Sequence, residues 1–337
     1  MMRIDFRSDT VTKPTEAMLQ AMVTAKIGDD VFGEDPSVNE LEHMSEQMFG
    51  MDAGLFCPSG TMTNQIAIKC HTQPGDEVIC DESAHVYQYE GGGIASNSGA
   101  SVKLLYGDRG RLNADQVKAA INEDDNHKAH TSLVCLENTS NRGGGSCYDL
   151  NEIKKIKQVC RENDLALHLD GARLWNALVA KNETPKQYGE IFDSISICLS
   201  KGLGCPVGSV LLGKKDFIKK ARRIRKVFGG GMRQGGLVAA AGIYALKNNI
   251  ERLKEDHDHA KRIGNAIAGN SMTKSVFPVE TNIIIFETVT AATAIVEKLK
   301  NKNILCYATA PDRVRLVVHL DITEEMVNKT IEVIKGI

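Results

Sequence analysis

Leu165-Ala-Leu-His-Leu-Asp170 and Ile195-Ser-Ile-Cys-Leu-Ser-Lys-Gly202 are short apolar runs that close on a charged side chain, Asp170 in the first and Lys201 in the second. Bounded apolar runs of this length predict buried strands. Working outward, similar patterns lie at Asp76 to Cys80, Ser101 to Leu105, Ser132 to Leu136 and Gly208 to Leu212. Helical periodicity fills the spaces from Thr61 to Cys70, Ala114 to Ile121, Leu150 to Asn163, Arg173 to Ala180 and Lys215 to Val227. Parallel neighbours need a crossover of a dozen or so residues, so this alternation predicts an α/β domain with a mainly parallel sheet covered on both faces.

After a long helical stretch from Gly235 to about Gly264 the texture changes. Thr281 to Phe286 and Arg313 to His319 are strand-like, and Ala291 to Leu299 and the segment from Thr323 are helical. We expect an N-terminal segment and large domain over residues 1–250 and a smaller α+β domain over 251–337. A chain of 337 residues, 42% apolar and 25% charged, is ample for such a core. A net charge of −2 gives no global field for nucleic acid or an acidic membrane, and the basic run Lys219 to Lys226 is local. Nine scattered cysteines without a Cys-x-x-Cys pair, no signal-like opening and no membrane-length apolar segment predict reduced thiols in a cytoplasmic protein.

A lysine and an acid at the ends of neighbouring strands can hold both ends of a pyridine cofactor. The amine bonds to the aldehyde of pyridoxal 5'-phosphate, and the carboxylate keeps the ring nitrogen protonated. Burial is expected to lower the pKa of Lys201 and favour that bond. Asp170 also suits the N-cap of the following helix, and a lysine in a glycine-flanked turn is commonly just solvated. Ser59-Gly60-Thr61 opens a helix with free backbone donors, hydroxyls and the positive end of the dipole; that fits a phosphate seat or a simple cap. No Gly-x-x-x-x-Gly-Lys-Ser/Thr pattern is present, and the glycine triplets form no dinucleotide fingerprint. His85 is a candidate base or a structural histidine. His127-x-x-His130 lacks cysteine or acid partners at ligand spacing, so no metal site is expected. Ser8 precedes a helix begun at Pro14 and also suits a turn.

Several ordered motifs resemble those of the L-threonine aldolases, almost end to end. They are Asp5-Phe-Arg-Ser-Asp-Thr-Val-Thr-Lys-Pro14, Gly28-Asp-Asp-Val-Phe-Gly-Glu-Asp-Pro36, Pro58-Ser-Gly-Thr-Met-Thr-Asn-Gln65, Glu137-Asn-Thr139, His168-Leu-Asp-Gly-Ala-Arg173, Ser200-Lys-Gly202, Gly229-Gly-Gly-Met-Arg-Gln234 and Val314-Arg-Leu-Val-Val-His319. The resemblance implies fold type I of the pyridoxal phosphate enzymes, the aspartate aminotransferase fold, with the active site between two subunits and a dimer of dimers. It implies Lys201 as the Schiff-base lysine, Asp170 as the ring-nitrogen partner, Ser59, Gly60 and Thr61 as the phosphate seat, and His85 stacked on the ring. Arg173, Arg315 and Ser8 would hold the substrate carboxylate, with Arg173 also bordering the cofactor. Lys226 and Arg233 would reach the cofactor from the adjacent subunit, and His85 or His127 would serve the β-hydroxyl.

The implied reaction is cleavage of L-threonine or L-allo-threonine to glycine and acetaldehyde. The alternatives on the same anchors are a β-eliminating lyase and a transaminase. A silent binding protein would keep the fold without a reactive lysine. Ser140, where histidine often follows the threonine, and Tyr89 in the side-chain pocket depart from common members and bear on substrate preference.

Overall fold

The computed structural model describes residues 2–337. Seven strands form the large sheet in the order Ala53–Cys57, Ser209–Gly213, Ser194–Cys198, Ala166–Gly171, Thr131–Glu137, Glu77–Asp81, Ser101–Leu105. Only Ser209–Gly213 runs against the others, pairing antiparallel with both neighbours. The reversal follows from its connection: the chain leaves Ser194–Cys198, turns through the segment that carries Lys201 and returns directly, without the crossover helix a parallel neighbour needs. Strands Thr131–Glu137, Ser194–Cys198 and Ser209–Gly213 are buried at every position, as helices on both faces require. The edge strand Ser101–Leu105 keeps every side chain at least partly exposed.

The main core packs Leu136, Leu167, Leu169, Ile195 and Ile197 from the sheet against Leu41, Phe49, Trp175 and Tyr188 from the helices. One strand of this sheet, Ala53–Cys57, was absent from the expectation. Its Ala-Gly-Leu-Phe-Cys is short and glycine-broken, and its sequence looks like a lead-in to the next helix.

A second, antiparallel sheet orders Tyr307–Ala310, Arg313–Val317, Ile283–Thr288 and Thr273–Val276. Helices Leu253–Ala268, Ala292–Lys300 and Glu324–Lys335 supply Ile263, Ile295 and Val327 to its core. Ile4 and Phe6 belong to this second core, and Ile4–Asp5 pairs with Ile304–Leu305, so the first residues pack with the C-terminal unit rather than with the large domain. The stretch expected as one helix is two, Gly236–Asn248 and Leu253–Ala268. The break is tied to the lysine segment: Asn249 Nδ2 donates to Leu203 O at 2.8 Å. No helix among the described residues is long and apolar enough to cross a membrane.

Candidate active site

Asp170 lies near the C-terminal end of strand Ala166–Gly171, level with Glu137 on strand Thr131–Glu137, and Lys201 follows strand Ser194–Cys198. They therefore share the edge of the sheet where parallel α/β folds bind ligands. Lys201 Nζ donates to Cys198 Sγ at 3.4 Å. Gly60, at the start of helix Gly60–His71, lies close by, because a Cβ built on it would stand 3.4 Å from Ser209 Oγ and 3.9 Å from Cys198 Sγ. Ser59 caps this helix by accepting from Met62 N at 3.2 Å, and the first-turn N–H groups point outward as the start of any helix requires. Ser209 Oγ is buried beside the Cys198 sulfur, its only polar neighbour among the described residues. The helix N-terminus and the buried Ser209 hydroxyl lie against Gly60, and the Lys201 amine reaches them through the Cys198 sulfur; this set fits a phosphorylated aldehyde cofactor.

The acid at the other end is held from two sides. Ala172 N donates to Asp170 Oδ1 at 3.0 Å and Asn64 Nδ2 to Asp170 Oδ2 at 2.9 Å. Asn64 Oδ1 contacts His168 Nε2 at 3.1 Å, whose Nδ1 lies 2.8 Å from Ser194 Oγ, itself 2.8 Å from His71 Nε2. Burial lowers the pKa of His168 to about 3 and of His71 to about 4, so both stay neutral and link strand to helix without adding charge.

His85 opens the short helix His85–Gln88. Its backbone N–H donates to Glu137 Oε2 at 2.8 Å and its Nδ1 lies 3.0 Å from Glu90 Oε1. Burial works against its charged form, but the hydrogen bond to Glu90 and the charges of Asp170, Glu90 and Glu137 prevail and raise its pKa. Glu137 is pushed up to about 7 by burial and then by Asp170. Ligand atoms of His85, Glu90 and Asp170 lie within 4.8 Å of one another. The carboxylate oxygens of this group already accept from Asn64, Gln65, Ala172 and the His85 imidazole.

The lysine departs from expectation. Burial alone would lower its pKa, but the Cys198 sulfur and the acids Asp9 and Asp170 outweigh burial and the opposing charge of Arg173 and raise it. The amine is therefore stored protonated, and it must lose a proton before it can act as a nucleophile.

Arg173 also departs. Its Nε and Nη2 donate to Asp9 Oδ2 and Oδ1 at 2.7 and 2.6 Å, and both side chains are buried. The planar fork expected for a substrate carboxylate is thus filled by Asp9, and only Nη1 is left outside that pair. Arg315 is the open member. Nη1 donates to Asn141 Oδ1 at 2.7 Å and Nη2 to Arg7 O at 3.0 Å, while Nε is buried without a partner. Burial and the charge of Arg173 lower its pKa to about 10, the mark of a cation short of an anion. Ser8 accepts from Thr10 N at 3.2 Å beside Asp9.

Tyr89 stands at the mouth, its ring centroid 5.7 Å from that of His85 and 5.0 Å from the Arg142 guanidinium carbon. His127 does not join the site within the chain. It precedes strand Thr131–Glu137 at the N-terminal end, whereas Glu137 marks the site end, about 20 Å away at ~3.3 Å per residue. Its side chain is 93% exposed and pairs only with Asp125. Lys226 is exposed in the last turn of helix Lys215–Val227, and Arg233 pairs with Asp29 at 2.9 Å. Neither contacts Lys201 or Asp170 among the described residues.

Sequence reasoning assigned no role to Asp9, Asn64, Glu90, Asn141 or Cys198. Asn64 and Asp9 lay inside quoted motifs, and Glu90 stands five residues after His85, close enough for a histidine-orienting acid to be sought.

The beta-eliminating lyase family profile matches residues 5–291. A low-specificity L-threonine aldolase of Escherichia coli (strain K12) is 44% identical over 326 residues, 96% of this chain and 95% of the relative. Low-specificity L-threonine aldolase 1 of Arabidopsis thaliana is 38% identical, covering 98% of this chain and 95% of the relative. Among solved structures, a threonine aldolase of Leishmania major superposes with a TM-score of 0.88 at 23% identity, covering 99% of each chain, which is a likeness of fold.

Proposed function

We propose, because this chain belongs to the beta-eliminating lyase family and aligns nearly end to end with its L-threonine aldolases, that it cleaves L-threonine and L-allo-threonine to glycine and acetaldehyde. The observation that carries this reading is that Lys201 and Asp170 share one edge of the large sheet while the second sheet brings in Arg315, a buried guanidinium with a free donor, linked to that edge through Asn141 and Glu137. The enzyme is a lyase that depends on pyridoxal 5'-phosphate, which Lys201 would hold at its aldehyde, Ser59, Gly60, Thr61 and Ser209 at its phosphate, and Asp170 at its ring nitrogen. When bound, the cofactor supplies an electron sink for the pair left on Cα as the Cα–Cβ bond breaks.

The chain's own residues choose the bond. Arg315 Nε, with the remaining nitrogen of Arg173 and the Ser8 hydroxyl, would fix the substrate carboxylate and so set which bond to Cα is aligned for cleavage. His85 takes the β-hydroxyl proton, which makes release of the aldehyde the favoured path over loss of the hydroxyl. His127 lies too far from this centre to assist in its own chain and would act only in the site of another copy.

Lys226 and Arg233 belong to the same proposal. They sit beside Phe32 and Val227, which are 72% and 79% exposed, on a face that suits a second copy. A dimer is then the smallest active unit and a dimer of dimers the assembly, working in the cytoplasm, where its nine unpaired cysteines stay reduced.

The test is a coupled assay on both diastereomers with cofactor-loaded protein. Acetaldehyde formed one for one with glycine is expected; 2-oxobutyrate and ammonia would mean elimination, and a cofactor-bound amine without aldehyde release would mean transamination. A second expectation concerns the clamp. Arg315→Lys should raise KM roughly 30–100-fold with a smaller change in kcat, since an ammonium loses the fork geometry and about 2–3 kcal/mol of charge-assisted bonding. An unchanged KM would remove Arg315 from substrate binding.

A further inference from the structure

Glu90 is wholly buried and receives three donors. Asn64 Nδ2 approaches Oε1 at 2.9 Å, Gln65 Nε2 approaches Oε2 at 2.6 Å, and His85 Nδ1 lies 3.0 Å from Oε1. The direction of each bond follows from the groups themselves. The Asn64 nitrogen touches oxygens of two carboxylates, Glu90 and Asp170, so it must donate to both. Gln65 likewise turns its nitrogen to Glu90 and its Oε1 toward Asn97. A carboxylate fixed in this way can only accept, so the imidazole must carry its proton on Nδ1. In the neutral ring the free lone pair is then on Nε2. Without Glu90, neither nitrogen would be assigned.

We propose that Glu90 is the positioning residue of this site: by holding Nδ1–H of His85 it leaves the Nε2 lone pair to receive the β-hydroxyl proton of the substrate. The arrangement follows the acid–imidazole logic of hydrolytic triads, where an acid fixes the tautomer of a histidine and stabilises its charged form without itself taking the proton. The proton leaves the substrate oxygen for Nε2, the imidazole becomes the cation, and the aldehyde C=O forms from the released oxygen pair. Glu90 reaches no substrate atom in this scheme and acts through His85 alone. The inference rests on the proposed retro-aldol reading for its consequence, but the tautomer can be measured apart from it.

The groups that face His85 must be separated in the test. Glu90 and Tyr89 follow its own short helix, Asp170 and Glu137 face it from the sheet, Asn64 and Gln65 flank Glu90 from helix Gly60–His71, and Arg142 covers Tyr89. Removing Glu90 leaves the charges of Asp170 and Glu137 in place. The experiment is histidine-selective 15N and 13C NMR of the full-length protein, with and without bound cofactor, the His85 signals assigned by their loss in His85→Asn. The wild type is expected to show the Nδ1–H tautomer and to titrate above the ordinary histidine value of about 6.5.

In Glu90→Gln the titration should fall by about one unit or more. The acidic limb of kcat/KM should move to lower pH by the same amount, while the maximal rate drops about tenfold. Glu90→Asp should restore part of both. A variant that is merely less well packed would lose rate without moving the limb toward acid. An Nε2–H tautomer in the wild type, or a His85 titration unchanged in Glu90→Gln, overturns the proposal even if aldolase activity is found. If the variants cannot be purified, the wild-type tautomer decides alone. Failure of aldolase activity with an Nδ1–H tautomer would instead overturn the reaction and leave the positioning role intact.

Discussion

Lys201→Ala should lose at least roughly 10³-fold in turnover, and the visible absorbance band of the cofactor-loaded protein should vanish with it. The size follows from what Lys201 does. Its amine reaches the Cys198 sulfur beside Gly60, and the neighbours that would still hold the cofactor, the helix N-terminus and Asp170, supply no nucleophile. The structure adds a qualification to the chemistry. Because the Cys198 sulfur, Asp9 and Asp170 keep the free amine protonated, bond formation with the aldehyde should be slow at neutral pH and speed up as pH rises. Reconstitution of the wild type followed by absorbance across a pH series measures this directly. Full activity or an unchanged band in Lys201→Ala would exclude the lysine as the anchor.

Asp170→Asn is the second large effect, with an expected loss of about 10²–10³-fold in kcat, the scale of removing one preorganised electrostatic contact. An asparagine fills the same space and can still meet Ala172 N through its carbonyl, so the fold and much of the cofactor affinity should survive. What it lacks is the charge that holds a proton on the ring nitrogen. The substituted side chain also meets Asn64 Nδ2, whose second donor is committed to Glu90, so the new amide must present its oxygen to only one of its two former partners. A kcat loss with a modest change in cofactor affinity is expected, and unchanged turnover would rule out the electronic role of the acid.

Six of the seven strands of the large sheet were legible because their chemistry is local. Strand Ser101–Leu105 and helix Lys215–Val227 coincide with the sequence expectation, and strand Ser194–Cys198 lies within one residue of the start of its apolar run. The apolar period and the bounding polar residues define them. Lys201 and Asp170 were legible for the same reason, since each ends an apolar run. What could not be read were partnerships across the chain. Asp9 and Arg173 lie 164 positions apart, and no local pattern says that a buried guanidinium already has an acid in its fork. The same holds for the Lys201 amine, whose charge is set by Asp9 and by a sulfur three residues back as much as by burial. His127 is a different case: strand direction puts it at the opposite end of the sheet from Glu137, so within one chain it stands apart from Lys201 and Asp170.

Between these lie the residues that the sequence displayed without assigning. Asn64 sits within Pro58-Ser-Gly-Thr-Met-Thr-Asn-Gln65, and its value came from facing two acids at once from one turn of a helix. Glu137 was quoted as part of a motif. Its two oxygens in fact join His85 N to Asn141 N, and Asn141 in turn steadies Arg315, so one acid ties His85 to Arg315.

Carbon balance tests the central claim most directly. Cofactor-loaded protein is given uniformly 13C-labelled L-threonine, and the products are followed by 13C NMR in a single sample. The expected result is glycine and acetaldehyde, with its hydrate, in equal amounts and in step with the loss of threonine; labelled 2-oxobutyrate in their place would contradict it.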